Sequence, residues 1–169
     1  MSAIPPFSEL IRSTTREAVH LEMRDSYTPG DPDFAAWRDG EIDVGVSCYP
    51  DWSALIAAQV ARGVRIRRAR IVSEPVSDYI RFEYAITAAT NVAAGEEVRW
   101  LPRRRASDLA LPGNDFWLFD DGLVRVHHFS GDGEIVEDEL SRDAGLVTLC
   151  RSAFEAVWAR AVDHRDYRL

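Results

Sequence analysis

Four arginines crowd one short apolar segment: Arg65, Arg67, Arg68 and Arg70 in GVRIRRARIV. Carboxylates follow in DYIRFEYAIT, EEVRWLPRRR and LPGNDFWLFDD, interleaved with aromatic residues. Burying a charge is costly unless it meets a partner. Two chemistries fit the pattern. The arginines cradle an anion, a phosphate or the acidic strip of a partner. Alternatively they pair with Glu74, Glu83, Glu96 or Glu97 across a sheet and a neighbouring helix, the arrangement that buried guanidinium groups favour.

Other polar residues stand where they can join them. Tyr79, Arg81 and Glu83 share a predicted helix, with Tyr79 and Glu83 four residues apart and therefore on one face. They form a polar pocket wall or an internal hydrogen-bond network. His20, Glu22 and Arg24 share a strand face. A histidine beside a carboxylate can carry a proton, but no nucleophile or metal partner accompanies it, which favours an interior network. Asp115 ends the turn Leu111–Asp115 and opens a strand, the kind of position beside which α/β sheets gather ligands. Asn and Asp at such turns also serve as plain backbone caps. The ligand-binding candidates are Arg70, Tyr79, Arg81, Glu83, Asp115 and His20, with no catalytic residue assigned.

Several chemistries are excluded or disfavoured. All 20 basic residues are arginine, so there is no Schiff-base lysine, no Walker lysine and no lysine base. The net charge of −8 disfavours direct nucleic-acid binding. Cys48 and Cys150 are too few for a disulfide framework or zinc site and read as free thiols. His127 and His128 point to opposite faces of a strand, which disfavours chelation of one metal. His164 is expected near an exposed C-terminus. The Ser130–Glu134 segment lacks the twelve-residue calcium-loop pattern. No metal and no cofactor are expected. Met1–Leu10 lacks the basic start and apolar run of a signal peptide, and no apolar stretch approaches a membrane span, so a cytoplasmic protein is expected.

The positioning elements follow from periodicity. The 169 residues, 46% of them apolar, read as one domain with a sizeable core. Pro5–Arg16 is a short helix or arm anchored by Phe7, Leu10 and Ile11. Val19–Tyr27 alternates as a strand. Asp33–Asp39 is a short helix, and Gly40–Tyr49 is irregular. Asp51 caps a helix to Arg62, stopped by Gly63. Val64–Val72 is a strand, and Ser77 or Asp78 opens a buried helix to Thr90. Glu97–Leu101 is a strand, and Arg103–Gly113 a loop. Asp115–Asp120 and Leu123–Phe129 form a hairpin through Asp121-Gly122. Ser130–Glu139 reads as an acidic loop, and Leu146–Ala161 as a long amphipathic helix. Strands alternating with helices predict an α/β fold, a mixed β-sheet flanked by helices on both faces.

The run ALIAAQVARGVRIRRARIV resembles the helix–strand unit of phospholipase D-like folds, where a helix steps through Arg-Gly-Val into a core strand. HLEMRDSY, RGVRIRRARIVSEPVSDYIRFEYAIT, AGEEVRWLPR, LPGNDFWLFDD and FSGDGE together resemble an actinobacterial domain family of unknown function. Its members often lie beside helix-turn-helix regulators. The resemblance covers nearly the whole chain and implies a core like one phospholipase D-like half, without an established activity. The phospholipase D motif is His-x-Lys-x4-Asp. If Asp120 matches its aspartate, Gly113 stands at the histidine position and Asp115 at the lysine position. The nucleophile and the phosphate-binding cation are then both missing, and Asp115 would repel a phosphodiester.

The leading expectation is thus a non-catalytic binding or regulatory module, partnering a helix-turn-helix transcriptional regulator. It also includes a homodimer seamed by Trp158 or the C-terminal helix, which the resemblance implies. The alternative is an enzyme acting on a small anionic or amino-bearing metabolite in a cleft lined by Arg, Tyr, Glu and Asp, with His20 carrying protons.

Overall fold

The structure is a computed structural model describing residues 4–42 and 48–169. Part of the predicted irregular segment, residues 43–47, lies outside them. Seven strands form one mixed sheet in the order β6-β5-β4-β1-β2-β3-β7. The strands β1 (Glu17–Glu22), β2 (Arg65–Val72) and β3 (Glu97–Pro102) run parallel. The strands β4 (Phe116–Phe119), β5 (Leu123–Phe129) and β6 (Ile135–Ser141) form an antiparallel meander beside β1. A short β7 (Val162–Asp163) closes the other edge against β3.

Helices cover both faces, because strand alternation gives each face its own apolar set. On one face Val19, Leu21, Ile71, Phe116 and Leu118 pack against Phe154 and Val157 of α5 (Ala144–Arg160). On the other, Ala18, Ile66, Trp117 and Phe119 meet Leu10 and Ile11 of α1 (Phe7–Ser13) and Ile56 of α3 (Pro50–Ala61). The helices α2 (Pro32–Arg38) and α4 (Asp78–Thr87) bring a third group together, in which Phe34 and Trp37 pack beside Tyr79 and Phe82.

Several elements differ from the sequence expectation, each for a local reason. β1 ends at Glu22 rather than Tyr27, because the next backbone donors are taken elsewhere. Met23 N–H donates to Asp115 Oδ1 at 2.9 Å, and Arg24 N–H to the Tyr27 hydroxyl at 3.1 Å. α3 starts at Pro50 without a side-chain cap, so Asp51 lies in its first turn, where it faces the positive end of the helix dipole. α4 is capped by Ser77, whose hydroxyl accepts from Ile80 N–H, and it loosens into a π turn over Ala88–Val92. The second half of the segment read as an acidic loop belongs to β6, held to β5 by Arg125–Asp138 and His128–Glu139 pairs. Cross-strand partners outweigh poor intrinsic strand propensity there.

His164 is buried and accepts a hydrogen bond from Trp100 Nε1 at 3.1 Å, so the C-terminal segment is docked on β3. Trp158 is buried too, with Arg67 and Arg99 over its ring. Among the described residues no helix is long and apolar enough to cross a membrane.

Candidate ligand-binding site

The face of the sheet beneath α1, α3 and α4 carries two polar rows running across the strands. In the first, Arg125 on β5 lies opposite Trp117 on β4, Trp117 opposite His20 on β1, and His20 opposite Arg68 on β2. In the second, His127 on β5 donates its backbone N–H to Asp115, just before β4, and Glu22 on β1 pairs with Arg70 on β2. Single alternation along four strands places all these groups on one side.

The floor is a closed ionic lattice. Glu22 bridges two arginines: one oxygen meets Arg68 and the other accepts from Arg70 Nε at 2.5 Å. Arg68 Nε also donates to Glu96 Oε1 at 2.7 Å, and Asn91 steadies Glu96 from the π turn. Arg70 donates to the Thr87 hydroxyl at 2.7 Å. Arg68 and Arg70 depress the Glu22 carboxyl well below the ordinary range, overcoming its burial. Burial and the adjacent Arg68 hold His20 well below its usual 6.5, so it is neutral at neutral pH. It stacks on Trp117 at 4.3 Å.

Two further carboxyls belong to the site but have no arginine of their own. Glu83 Oε1 lies 3.7 Å from Arg70 Nη2, and its Oε2 has no hydrogen-bond partner among the described residues. Burial pushes it up to about 7 against the pull of Arg70, with Glu22 adding repulsion. Asp115 accepts from Met23 N–H and the Tyr27 hydroxyl, both neutral donors. Burial pushes it to about 7 as well, although the Tyr27 hydrogen bond opposes the shift. Tyr27 itself is held as the phenol by burial and by Asp115.

Above this floor is a cavity of about 380 Å³, a volume that suits a small organic ligand. Its walls are aromatic: Phe7, Trp52, Tyr79 and Phe82 come from three helices, and Tyr27 and Tyr49 from loops. Arg125 and His127 line the side toward β5. Asp138 accepts from Arg125 Nη2 and contacts His127 Nδ1, each at 2.6 Å.

A family model described as "Domain of unknown function (DUF6879)" matches residues 5–169. The chain belongs to this family. Among curated proteins none matches it. In solved structures the DUF6879 domain is similar to a phospholipase D family member, Nuc from Salmonella typhimurium. That match has a TM-score of 0.51 at 14% identity and covers 96% of this chain and 88% of that one. It is also similar to TrmBL2, an archaeal chromatin protein whose structure shows a novel mode of DNA binding. There the TM-score is again 0.51 at 14% identity, over 91% of this chain and 47% of that one. At such identities the likeness shows the fold alone, an α/β fold of phospholipase D type.

The DUF6879 structure brings His20, Arg70, Tyr79, Glu83 and Asp115 onto one cavity. Arg81 is placed elsewhere: its half-exposed side chain leaves α4 on the far side from Glu83 and lies 4.0 Å from Asp78. Two residues along a helix is about 200°, which sends Arg81 outward when Tyr79 and Glu83 point inward. Glu74, offered as a partner of the β2 arginines, instead meets Arg104 and Tyr167. Asp120 is outside the cavity and ties down the start of β1 by accepting from Thr15, Arg16 and Glu17 N–H. Sequence reasoning missed Tyr27, Trp52, Arg125 and His127. For the last two the signal was present: alternation in LVRVHHF puts Arg125, His127 and Phe129 on one face.

Proposed function

We propose that this DUF6879 domain is a small-molecule-binding module that recognises an amino or ammonium group through Glu83 and Asp115. The observation that carries this reading is a pair of buried carboxyls on an aromatic-walled cavity, neither matched by its own guanidinium. A cation there relieves the repulsion between them and finds π faces around it. The same fold occurs in a phospholipase D family member and in a DNA-binding chromatin protein, so fold does not decide function and the site must. A phosphodiester is a poor occupant: Arg68 and Arg70 are already held by carboxylates, and Asp115 repels it.

The role we propose in the cell is regulatory and cytoplasmic, with a helix-turn-helix regulator as partner and a homodimer as the working form. Calorimetric titration with alkylamines, alkyl carboxylates and phosphodiesters tests the ligand class. Saturable binding of amines alone is expected; equal or better binding of phosphodiesters overturns it. Co-purification from native cells tests the partner: recovery of no regulator under gentle conditions overturns that role.

A second reading is favoured by the His127–Asp138 pair. Asp138 occupies Nδ1 of His127, which leaves Nε2 as the basic nitrogen of a ring that lines the cavity. Burial keeps that ring neutral and able to take a proton. An enzyme acting on the same amine would use it as base. Slow conversion of a bound amine, abolished in His127→Asn, would favour this reading over simple binding.

A further inference from the structure

The cavity has two chemically opposite ends. Toward α4 lies Glu83; Asp115, just before β4 with its carbonyl on His127 N–H of β5, stands between the two ends. Toward β5 lies Arg125, whose guanidinium gives only Nη2 to Asp138. Its Nε and Nη1 are buried and have no hydrogen-bond partner among the described residues. Buried donors in that state are costly and mark a place where an acceptor is missing. The missing acceptor is not supplied by the floor, since Glu22 and Glu96 are committed to Arg68 and Arg70.

From these two ends we infer that the ligand is a bipolar molecule: a cationic amine at Glu83 and Asp115, an oxyanion at Arg125, and an apolar or planar body between. The inference rests on the amine-binding reading and adds the second pole. The order β5-β4-β1-β2 puts three inter-strand steps between the strand of Arg125 and that of Arg70, on which Glu83 rests. That is about 14 Å between backbones. Asp115, just before β4, is one such step from β5, so the length of the ligand follows from which carboxyl holds its amine. From β5 to α4 the cavity wall is aromatic, with Tyr27 between Phe129 and Tyr79 at ring distances of 5.6 and 5.9 Å. Such a surface accepts a flat or aliphatic spacer.

Calorimetry near neutral pH with a length series tests this. The probes are glycine, 4-aminobutyrate, 6-aminohexanoate and 8-aminooctanoate, with n-hexylamine and hexanoate as one-headed controls. The best ω-amino acid is expected to bind at least about tenfold more tightly than n-hexylamine, with hexanoate weakest. Arg125→Gln should bring that ω-amino acid down to the n-hexylamine level and leave n-hexylamine unchanged. Arg125→Lys should keep part of the preference, and unchanged thermal unfolding in either variant excludes a folding defect. If n-hexylamine binds as tightly as every ω-amino acid, the second pole is refuted while the amine site stands. If no amine-bearing probe binds, both fail.

Discussion

The Glu83 carboxylate lies 3.7 Å from Arg70 Nη2, beyond hydrogen-bond distance, while Arg70 Nε is taken by Glu22 at 2.5 Å. Glu83 therefore bears the cost of burial without the compensation that Glu22 enjoys. The groups facing it are Arg70, Glu22, Arg68 and Asp115.

This asymmetry gives a stability prediction with a definite sign. With a folded pKa of about 7 against a usual 4.5, native Glu83 holds a proton that the unfolded chain has released. Stability from this group is present below about 4.5 and is lost as pH rises to about 7. Glu83→Gln removes the loss. In the ligand-free protein it should raise stability near pH 8 by on the order of 2–3 kcal/mol and have little effect near pH 5. Urea unfolding at the two pH values checks it. A variant less stable at pH 8 than the parent would show that the Arg70 contact outweighs desolvation.

Glu22 should behave in the opposite way. It is the shared partner of Arg68 and Arg70, both buried. Glu22→Gln leaves two guanidinium groups under-compensated and should cost about 3–5 kcal/mol. Because the native Glu22 pKa is depressed, its stabilisation is present above the unfolded value and is lost only in acid. Equilibrium unfolding of the variant near neutral pH measures the loss.

Amine binding should follow the ionisation of the surplus pair. Glu83 and Asp115 both titrate at about 7, so affinity for n-hexylamine should fall on acidification from pH 8 to pH 5 and plateau above pH 8. At pH 6 binding should release protons, seen as a dependence of the calorimetric heat on the buffer. An affinity independent of pH would mean that neither carboxyl meets the amine.

Asp120 separates scaffold from site. It accepts three backbone N–H groups at 2.7–3.0 Å, and its φ of 47° is a left-handed conformation that Asn tolerates better than Ala. Asp120→Ala should cost about 1–3 kcal/mol and Asp120→Asn less, with ligand affinity per folded molecule unchanged. A large loss of affinity in folded Asp120→Asn would place this residue in the site after all.

Bis(p-nitrophenyl) phosphate should not be hydrolysed by the purified domain. The chain has no lysine and so no His-x-Lys-x4-Asp motif, and Asp115 lines the cavity. Release of p-nitrophenol that scales with enzyme and persists after further purification would contradict the reading of a degenerate site.

Much of this architecture could be read along the chain. The β-branched residues Val64, Ile66, Ile71 and Val72 announced β2, and Gly63 at φ 90° ends α3 as a glycine should. Strand period alone put His20 beside Glu22, and helical spacing put Tyr79 beside Glu83. β6 was not legible, because IVEDELS carries the composition of a solvated loop and becomes a strand only when Arg125 and His128 face Asp138 and Glu139. His164 was misplaced for a similar reason: its burial depends on Trp100, 64 residues away.

The amino-acid sequence by itself determined the α/β alternation, the absence of lysine chemistry and the need for every buried arginine to find a carboxylate. These are properties of composition and of periods 2 and 3.6, which act over a few neighbours. Only the tertiary structure decided which carboxylate each arginine received. Pairing depends on strand order, and the order β5-β4-β1-β2 brings residues 20, 68, 117 and 125 into one row. That order used up Glu22 and Glu96 in neutralising Arg68 and Arg70. It left Glu83 and Asp115 over, facing a space that the core does not fill.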